Sequence, residues 1–294
     1  MSTSEIHFQK TETLLEALPY IQTFRGEMIL VKVGGSTLES KEQMDSILND
    51  VAFMWTVGML PIVVHGGGKA ITRGLKEAGI ESRFVQGLRV TDADAMRVMA
   101  DVIRNQVNRD VCERLRAFGA KVEPLSGDNV FYVRRKTGVD PETGATLDWG
   151  YVGIPTACDT GPVREILHRG CIPVICPLGR DEEGSLFNVN ADHAAAALAK
   201  SLRPRKLAFV SDVPGLLRDP EDPSTLIHTL KVEETPALMA DGIIGGGMLT
   251  KIQSCVDAIR AGVRKVHIVD GRMPHSLLLE IYTRTGVGTE ITGS

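Results

Sequence analysis

The chain of 294 residues carries 33 Lys and Arg against 37 Asp and Glu, a net charge of −4. This balance excludes a protein that binds nucleic acid or a membrane surface through bulk positive charge. Hydrophobic residues make up 43% of the chain, enough for one large core or two modest lobes. No apolar run approaches the ~20 residues that cross a bilayer, and the N-terminus has no signal-peptide pattern, so we expect a cytoplasmic protein. The five scattered cysteines predict reduced thiols rather than disulfides or a metal site.

An amphipathic stretch, Thr11–Phe24, opens the chain, and its apolar face needs a partner in this chain or in a second subunit. After it, short β-branched runs alternate with longer helical patterns. This alternation predicts an α/β fold with an open, mainly parallel sheet sandwiched between helices. The predicted strands are Met28–Val33, Leu60–His65, Val122–Leu125, Cys171–Cys176, Leu207–Ser211 and Val266–Val269. The predicted helices are Lys41–Val57, Ala70–Ala78, Ala93–Phe118, Gly161–Arg169, Ala191–Leu202, Met248–Ala261 and Pro274–Thr283.

One segment interrupts this alternation. Val130–Val152 contains two β-prone pieces around the turn-rich residues 137–144, which predicts a β-hairpin overhanging a site. The best candidate for a boundary between lobes lies at residues 202–205, where a predicted helix ends and a predicted strand begins. We therefore expect a helical extension over residues 1–25, an N-lobe over 26–203 and a C-lobe over 204–294, the two lobes sharing one sheet.

Glycine clusters follow several predicted strands or open helices: Gly34-Gly35, Gly66-Gly67-Gly68 and Gly245-Gly246-Gly247. Backbone N–H groups in such turns approach an anion without a Cβ in the way. Neither standard nucleotide motif fits. A P-loop needs Ser or Thr at position 70, where Ala70 stands, and the dinucleotide fingerprint needs glycine at position 71, where Ile71 stands.

A lysine, Lys32, lies near the carboxyl end of the first predicted strand, where ligands bind in open α/β sheets. Its burial without an anion would be costly; the alternative is an edge lysine that reaches solvent. Asp192 begins an alanine-rich helix, where it either serves a site or only caps the helix, and Lys251 follows the third glycine cluster. Two lysines, an aspartate and backbone donors meet the needs of phosphoryl transfer.

A carboxylate is a suitable phosphoryl acceptor because it is already ionised at pH 7 and needs no general base. A second anionic group on the substrate would require an arginine. Arg89, just ahead of a predicted helix, is suited to bind a carboxylate in bidentate fashion. The alternative is a surface arginine in a neighbouring ion pair.

Six motifs, in this order along the chain, resemble the amino acid kinase superfamily, and within it the kinases of N-acetyl-L-glutamate. They are Lys32–Ser36, His65–Gly68, Gly87–Asp92, Asn188–Asp192, Ser211–Val213 and Gly246–Lys251. The resemblance runs from about Leu14 to the end of the chain. It implies ATP-dependent phosphorylation of the side-chain carboxylate of N-acetyl-L-glutamate, in arginine biosynthesis. It also implies that Mg²⁺ arrives bound to ATP, with few or no protein ligands.

The resemblance assigns the catalytic roles to Lys32, Asp192 and Lys251. It places N-acetylglutamate against Gly67, Gly68, Arg89 and Asn188. It places ATP against Gly34, Gly35, Ser211, Asp212, Gly246 and Gly247. The chain departs from the family pattern beside the substrate: Lys69 stands where proline is expected, Asn105–Val107 replaces a glycine-containing stretch, and the hairpin at 136–146 is long.

The N-terminal stretch resembles the extra helix of arginine-sensitive members, which interlaces dimers into a hexamer. This resemblance implies a trimer of dimers and feedback inhibition by arginine. The implied arginine site is Tyr20, Lys206, His267, Glu280 and Gly288. The alternatives are a packed strand histidine for His267 and a solvent-facing helix charge for Glu280.

Other acceptors within the same superfamily remain open at this point: aspartate, glutamate, carbamate or UMP. An aspartokinase would usually carry an added regulatory region, for which no residues remain before Ser294. From a different class, the chain could be a non-catalytic arginine-sensing module. The presence of Lys32, Asp192 and Lys251 together argues against a sensor, which has no need of all three.

Overall fold

The computed structural model describes residues 3–85, 88–139, 144–283 and 285–293. The strands are β1 (Met28–Val33), β2 (Leu60–His65), β3 (Arg83–Val85), β4 (Leu88–Val90), β5 (Val122–Ser126), β6 (Phe131–Val139), β7 (Thr146–Cys158), β8 (Ile172–Cys176), β9 (Leu178–Arg180), β10 (Leu186–Val189), β11 (Lys206–Ser211), β12 (Thr229–Lys231), β13 (Lys265–Asp270) and β14 (Thr289–Thr292).

The α-helices are α1 (Thr3–Phe24), α2 (Lys41–Thr56), α3 (Gly68–Glu77), α4 (Ala93–Asp101), α5 (Arg109–Ala117), α6 (Gly161–His168), α7 (Ala191–Leu202), α8 (Thr235–Ala240), α9 (Gly246–Arg260) and α10 (Ser276–Tyr282). A π-helical segment, Val102–Asn108, joins α4 to α5. Within the described ranges, no helix combines the length and hydrophobicity that a membrane span requires.

Eight strands form the main sheet in the order β12-β14-β13-β11-β1-β2-β8-β5. Neighbouring strands are parallel except for the antiparallel pair β13 and β14. Helices cover both faces, as a parallel sheet requires. The predicted open, mainly parallel α/β fold with an N-terminal helix is therefore confirmed.

The alternation of side chains along β1 explains the two cores. Ile29, Val31 and Val33 pack with residues of α2, α5 and α10 on one face. Leu30 packs with residues of α7 and α9 on the other face. Lys32 shares the direction of Leu30, so β1 presents its one charged side chain towards α7 and α9.

Two smaller sheets stand beside the main one. β6, β7, β9 and β10 form a closed barrel, and β3 pairs with β4 in an antiparallel ribbon. The ribbon is attached to the barrel: Thr91 N–H donates to the Trp149 carbonyl at 2.9 Å, and Tyr151 N–H donates to the Thr91 carbonyl at 2.7 Å.

The sequence predicted β1 and β2 with the bounds that the structure has, and β5, β8, β11 and β13 to within one or two residues. It missed β3, β4, β9, β10, β12 and β14, and the helix α8. The predicted hairpin at Val130–Val152 is present as β6 and β7, but both strands extend further than predicted, and residues 140–143 of its turn lie outside the described residues. The single helix predicted over Ala93–Phe118 is interrupted by the π-helical segment.

One sheet crosses the predicted boundary between residues 203 and 204, because β1 pairs with β2 on one side and with β11 on the other. The division into lobes at this point stays a prediction.

Candidate active site

The carboxyl end of β1 lies at a switch point of the main sheet. The chain leaves β1 towards β2 on one side, and β11 later joins on the opposite side. In open α/β sheets such a point leaves a crevice at the strand ends, where ligands bind. Lys32 and the turn Gly34-Gly35 stand at this position.

Two lysines from different elements bind one carboxylate here. Lys32 Nζ lies 2.7 Å from Asp192 Oδ1, and Lys251 Nζ lies 3.0 Å from Asp192 Oδ2. All three side chains are largely buried. The edge-lysine alternative for Lys32 is therefore wrong, because its side chain is enclosed and paired.

Charge and burial oppose each other in this group. Burial raises the pKa of Asp192, but the Lys32 and Lys251 ammonium groups outweigh it and lower that pKa to about 2. Burial lowers the pKa of Lys32, and Asp192 acts in the opposite direction. The carboxylate is thus ionised at neutral pH and holds both ammonium groups at one place.

Asp192 does not cap its helix. The N-cap of α7 is Asn190, whose Oδ1 accepts the backbone N–H groups of Asp192 at 2.9 Å and of His193 at 3.2 Å. The carboxylate of Asp192, two residues later, is therefore left to bind the lysines. The alternative in which Asp192 only caps the helix is therefore wrong.

The two glycine turns beside Lys32 touch each other through their backbones. A Cβ on Gly35 would lie 3.1 Å from the Gly68 nitrogen, and a Cβ on Gly66 would lie 3.0 Å from the Gly35 nitrogen. α3 begins at Gly68, so its first N–H groups lack helical partners. Such a helix start, next to two lysines, attracts an anion.

These turns line a cavity of about 460 Å³. The predicted site residues that line it are Lys32, Gly35, Gly67, Gly68, Arg89, Asn188 and Asp192. Lys251 joins them through Asp192. Lys69, one of the departures from the family pattern, also lines this cavity and is exposed.

Arg89 is only 7% exposed and pairs with no carboxylate among the described residues. Its Nη2 donates to Thr72 Oγ1 at 2.8 Å and to the Gly68 carbonyl at 3.3 Å, its Nη1 donates to Ser82 Oγ, and its guanidinium stacks 4.5 Å from the centre of the Phe84 ring. Burial lowers the pKa of Arg89. A surface ion pair was the alternative for this residue, and the structure contradicts it.

The residues predicted for ATP, apart from Gly35, lie outside this cavity. Gly34 N–H donates to the Val210 carbonyl of β11 at 3.0 Å, which sets this turn against the end of that strand. Ser211 ends β11, and its hydroxyl lies 3.4 Å from Asp212 Oδ1. A Cβ on Gly246 or Gly247 would meet no atom within 4 Å, so the start of α9 is open. Of the residues predicted for ATP, Gly35 lines the cavity of about 460 Å³, and the other five do not.

A second cavity, of about 780 Å³, lies between α1, α10 and the β11, β12 and β14 end of the sheet. Tyr20, Lys206 and Glu280 of the predicted arginine site line it. His267 and Gly288 do not, but both bind Glu280: His267 Nδ1 is 2.6 Å from Oε1, and Gly288 N–H donates to Oε2 at 2.9 Å. Glu280 is buried, so the alternative of a solvent-facing helix charge is wrong.

Burial raises the pKa of Glu280, but its hydrogen bonds to His267 and to backbone N–H groups outweigh burial and lower that pKa. The pKa of Lys206 is lowered by burial, and its ammonium lies 5.3 Å from the centre of the Phe24 ring. The cavity therefore holds an ionised carboxylate beside aromatic side chains.

No functional role was predicted for Asn108, or for His65 beyond its place in the motif His65–Gly68. His65 is fully buried at the end of β2, and its Nε2 lies 3.0 Å from Asn108 Nδ2. The two residues are 43 positions apart, so no local pattern connects them.

The Amino acid kinase family model matches residues 27–270, a range that contains every motif of the site. The chain belongs to the amino acid kinase family. The resemblance that the motifs indicated is thereby confirmed.

Among its curated relatives in the amino acid kinase family are enzymes named acetylglutamate kinase. That of Heliobacterium modesticaldum is 43% identical over 288 residues, covering 96% of this chain and 98% of the relative. That of Akkermansia muciniphila is 42% identical over 284 residues, covering 96% of this chain and 95% of the relative.

Several solved structures share the fold. The N-acetylglutamate synthase from Neisseria gonorrhoeae, complexed with coenzyme A and N-acetyl-glutamate, superposes with a TM-score of 0.82 at 29% identity. The match covers 97% of this chain but only 63% of the synthase, and the same synthase is also solved with coenzyme A and L-arginine. Carbamate kinase from Giardia lamblia, at 15% identity and a TM-score of 0.65, shows the fold alone.

Proposed function

We propose that the chain is an acetylglutamate kinase, which transfers the γ-phosphoryl group of ATP to the side-chain carboxylate of N-acetyl-L-glutamate. The products are ADP and N-acetyl-L-glutamyl 5-phosphate, and the reaction is a step of arginine biosynthesis. The observation that carries the proposal is the bridge from Lys32 through Asp192 to Lys251, beside a cavity that holds Arg89, which has no carboxylate partner among the described residues. The relatives named acetylglutamate kinase, at 40–43% identity, support it.

In this reaction a carboxylate oxygen attacks the γ-phosphorus, and the bond from that phosphorus to the β–γ bridging oxygen breaks. No proton is transferred, because the acceptor is already ionised and ADP leaves as an anion. The main barrier is repulsion between two anions. Lys32 and Lys251 offset it by placing positive charge beside the transferring group, and Asp192 holds both ammonium groups in place.

Arg89 binds the α-carboxylate of acetylglutamate in this proposal. The guanidinium is buried and fixed by Thr72 and Phe84, yet it has no anion among the described residues. A planar group held in this way is suited to a bidentate carboxylate. Asn188 on β10 and the turn Gly67-Gly68 line the same cavity and would bind the amide region and the acceptor carboxylate.

ATP lies against Gly34, Gly35, Ser211, Asp212, Gly246 and Gly247, which all lie outside the acetylglutamate cavity except Gly35. The open glycines at the start of α9, Gly246 and Gly247, leave backbone N–H groups for the phosphates. Mg²⁺ comes bound to ATP, since both oxygens of Asp192 already contact lysines. The five cysteines are free, which suits the reducing cytoplasm, where we place the protein.

The test is an assay of acyl-phosphate formation with hydroxylamine as the trap. N-acetylglutamate, glutamate and aspartate are compared as acceptors, and carbamate and UMP are compared by ADP release. We expect hydroxamate from N-acetylglutamate and at least about tenfold less turnover of the others, since only this substrate fits both Arg89 and the amide contact. Protein with Asp192→Asn serves as the control. Absence of product with N-acetylglutamate would overturn the proposal.

We also propose arginine as a feedback inhibitor that binds in the cavity of about 780 Å³. The ionised Glu280 offers a carboxylate to a guanidinium, and Tyr20 and Phe24 offer aromatic faces. The related synthase solved with L-arginine supports this proposal. Inhibition by millimolar arginine should be weakened in Glu280→Gln and kept in Glu233→Gln, which removes an exposed charge elsewhere.

The oligomer that we propose is a hexamer, a trimer of dimers joined through α1. The C-terminal end of α1 packs on its own chain, where Tyr20 meets Tyr282 with ring centres 6.0 Å apart. Leu14, Leu15 and Leu18 earlier in this helix remain exposed and need a partner. Size-exclusion chromatography with light scattering should show a hexamer that falls to dimers when residues 1–24 are deleted.

A further inference from the structure

The buried His65 ring lies under the glycine turn and has no part in the proposed chemistry. Its Nδ1 lies 2.8 Å from the carbonyl oxygen of Gly66, and its Nε2 lies 3.0 Å from Asn108 Nδ2. Asn108 is the last residue of the π-helical segment and is itself buried. Because buried polar groups are costly unless they are hydrogen-bonded, we expect this pair to hold a neighbouring group in position.

The neighbours of the pair fix where the ring carries its proton. The amide nitrogen of Asn108 only donates, so Nε2 accepts and the single proton of the neutral ring is on Nδ1. The same amide nitrogen also donates to the Val174 carbonyl at 2.9 Å, and the Cys112 thiol donates to Asn108 Oδ1 at 3.6 Å. Burial lowers the pKa of His65 to about 4, which keeps the ring neutral. The Nδ1–H group therefore donates to Gly66.

This hydrogen bond sets the direction of the peptide that follows. The described chain has no cis peptide bond, so the Gly66 carbonyl and the Gly67 N–H point in opposite directions. With the carbonyl turned towards the buried ring, the Gly67 N–H points towards the cavity that Gly67 lines. No described group accepts a hydrogen bond from this N–H, whereas Gly66 N–H is bound to the Val33 carbonyl at 2.8 Å.

We propose that His65 and Asn108 are positioning residues, which hold the Gly66–Gly67 peptide so that the Gly67 N–H points at the transferring phosphoryl group. This inference rests on the proposed function. A donor fixed before the reaction stabilises charge that develops in the transition state, without the cost of reorienting a flexible glycine turn. Loss of the clamp should therefore lower kcat more than it raises either KM.

The test compares three substitutions at one position. His65→Asn keeps an amide nitrogen close to the place of Nδ1, so it can still donate to the Gly66 carbonyl. His65→Gln places the same amide one methylene further, near Nε2, and His65→Leu has no donor. We expect His65→Asn to keep kcat within about fivefold of wild type. The other two should lose at least about 30-fold in kcat, with both KM values changed less than about threefold.

Thermal unfolding of each variant separates positioning from folding. If kcat falls in step with stability across the three variants, or if His65→Gln equals His65→Asn, the inference is wrong. A second measurement needs no variant and no activity: ¹⁵N NMR of histidine-labelled wild-type protein at pH 7. The His65 ring should show a protonated Nδ1 and an unprotonated Nε2, and the opposite tautomer would overturn the clamp. Failure of the wild-type protein to turn over acetylglutamate would instead overturn the proposed function. The NMR spectrum would still report the His65 tautomer in that case, so the two failures can be told apart.

Discussion

Replacement of Lys251 by methionine tests the proposed transfer step most directly. The substitution removes the ammonium group that lies 3.0 Å from Asp192 Oδ2 and keeps an unbranched side chain against the Phe209 ring. Loss of one charge-stabilising group typically lowers kcat by ~10²–10³-fold. We expect a decrease of that size, with smaller effects on KM, because the charge on the transferring group grows in the transition state.

The protein should survive this change. Asp192 has its pKa lowered from 3.8 to about 2 by two lysines acting against burial. That difference corresponds to about 2–3 kcal/mol of stability, which is fully present at pH 7 and is lost only as the pH falls through the folded-state pKa. Removing one of the two lysines should cost part of this amount, well within the stability of a domain of this size.

The assay measures hydroxamate formation at saturating ATP and acetylglutamate, with thermal unfolding as the check on folding. Lys200→Met is the matched control, because it removes the same charge from an exposed position on α7, the helix that carries Asp192. We expect the control to keep wild-type kcat. A folded Lys251→Met protein with kcat within about threefold of wild type would show that Lys251 only supports Asp192.

Three further results are expected. Arg89→Lys loses the bidentate fork, so steady-state kinetics should show KM for acetylglutamate at least about tenfold higher and KM for ATP unchanged. The pKa of His65 is lowered to about 4 by burial, so the unfolded state binds more protons between pH 6.5 and 4. Urea titrations should show a stability loss of about 2 kcal/mol from pH 7 to 5, reduced in His65→Asn. The Leu216 N–H donates a hydrogen bond to the Thr289 hydroxyl at 2.8 Å. Thr289→Val removes this acceptor and should lower the free energy of unfolding by about 1–3 kcal/mol in the same titration. An unchanged free energy of unfolding would contradict this.

The parts of the fold that were predictable are those where local sequence decides structure. β1 and β2 have the predicted bounds because each is a mainly apolar run with β-branched residues, and glycine follows directly after the last residue of each strand. β3, β4, β9 and β12 have three residues each, too few to show a period. Such short strands form because neighbouring chain segments already lie alongside, which is tertiary information.

The interrupted helix between α4 and α5 was missed for a related reason. A π-helical segment of this length hardly disturbs the spacing of apolar and polar residues. Residues 93–118 therefore still show the pattern of one continuous helix. The local change in hydrogen bonding determines where Asn108 faces. Its partner His65 is 43 residues away, and their contact depends on the placement of this segment against β8.

The lysine–aspartate bridge could be predicted as a set of residue types but not as a geometry. Asn190 and Asp192 are both good capping residues, two positions apart at one helix start. The two lysines, which come from β1 and α9, determine which residue caps the helix. If Asp192 were the cap, two buried ammonium groups would face each other without a carboxylate between them. Asn190, which carries no charge, caps α7 and leaves the carboxylate to the lysines.

The position of β1 also explains how a chain with a net charge of −4 serves two anionic substrates. β2 and β11 flank β1, so the proposed acetylglutamate and ATP sites lie on the two sides of one strand end. In the proposed function Lys32 stands between them, where one buried cation would act on both ligands and on the group that is transferred. In the proposed function, positive charge is therefore needed only where the substrates bind, at Lys32, Lys251 and Arg89, and the rest of the surface is free to be acidic.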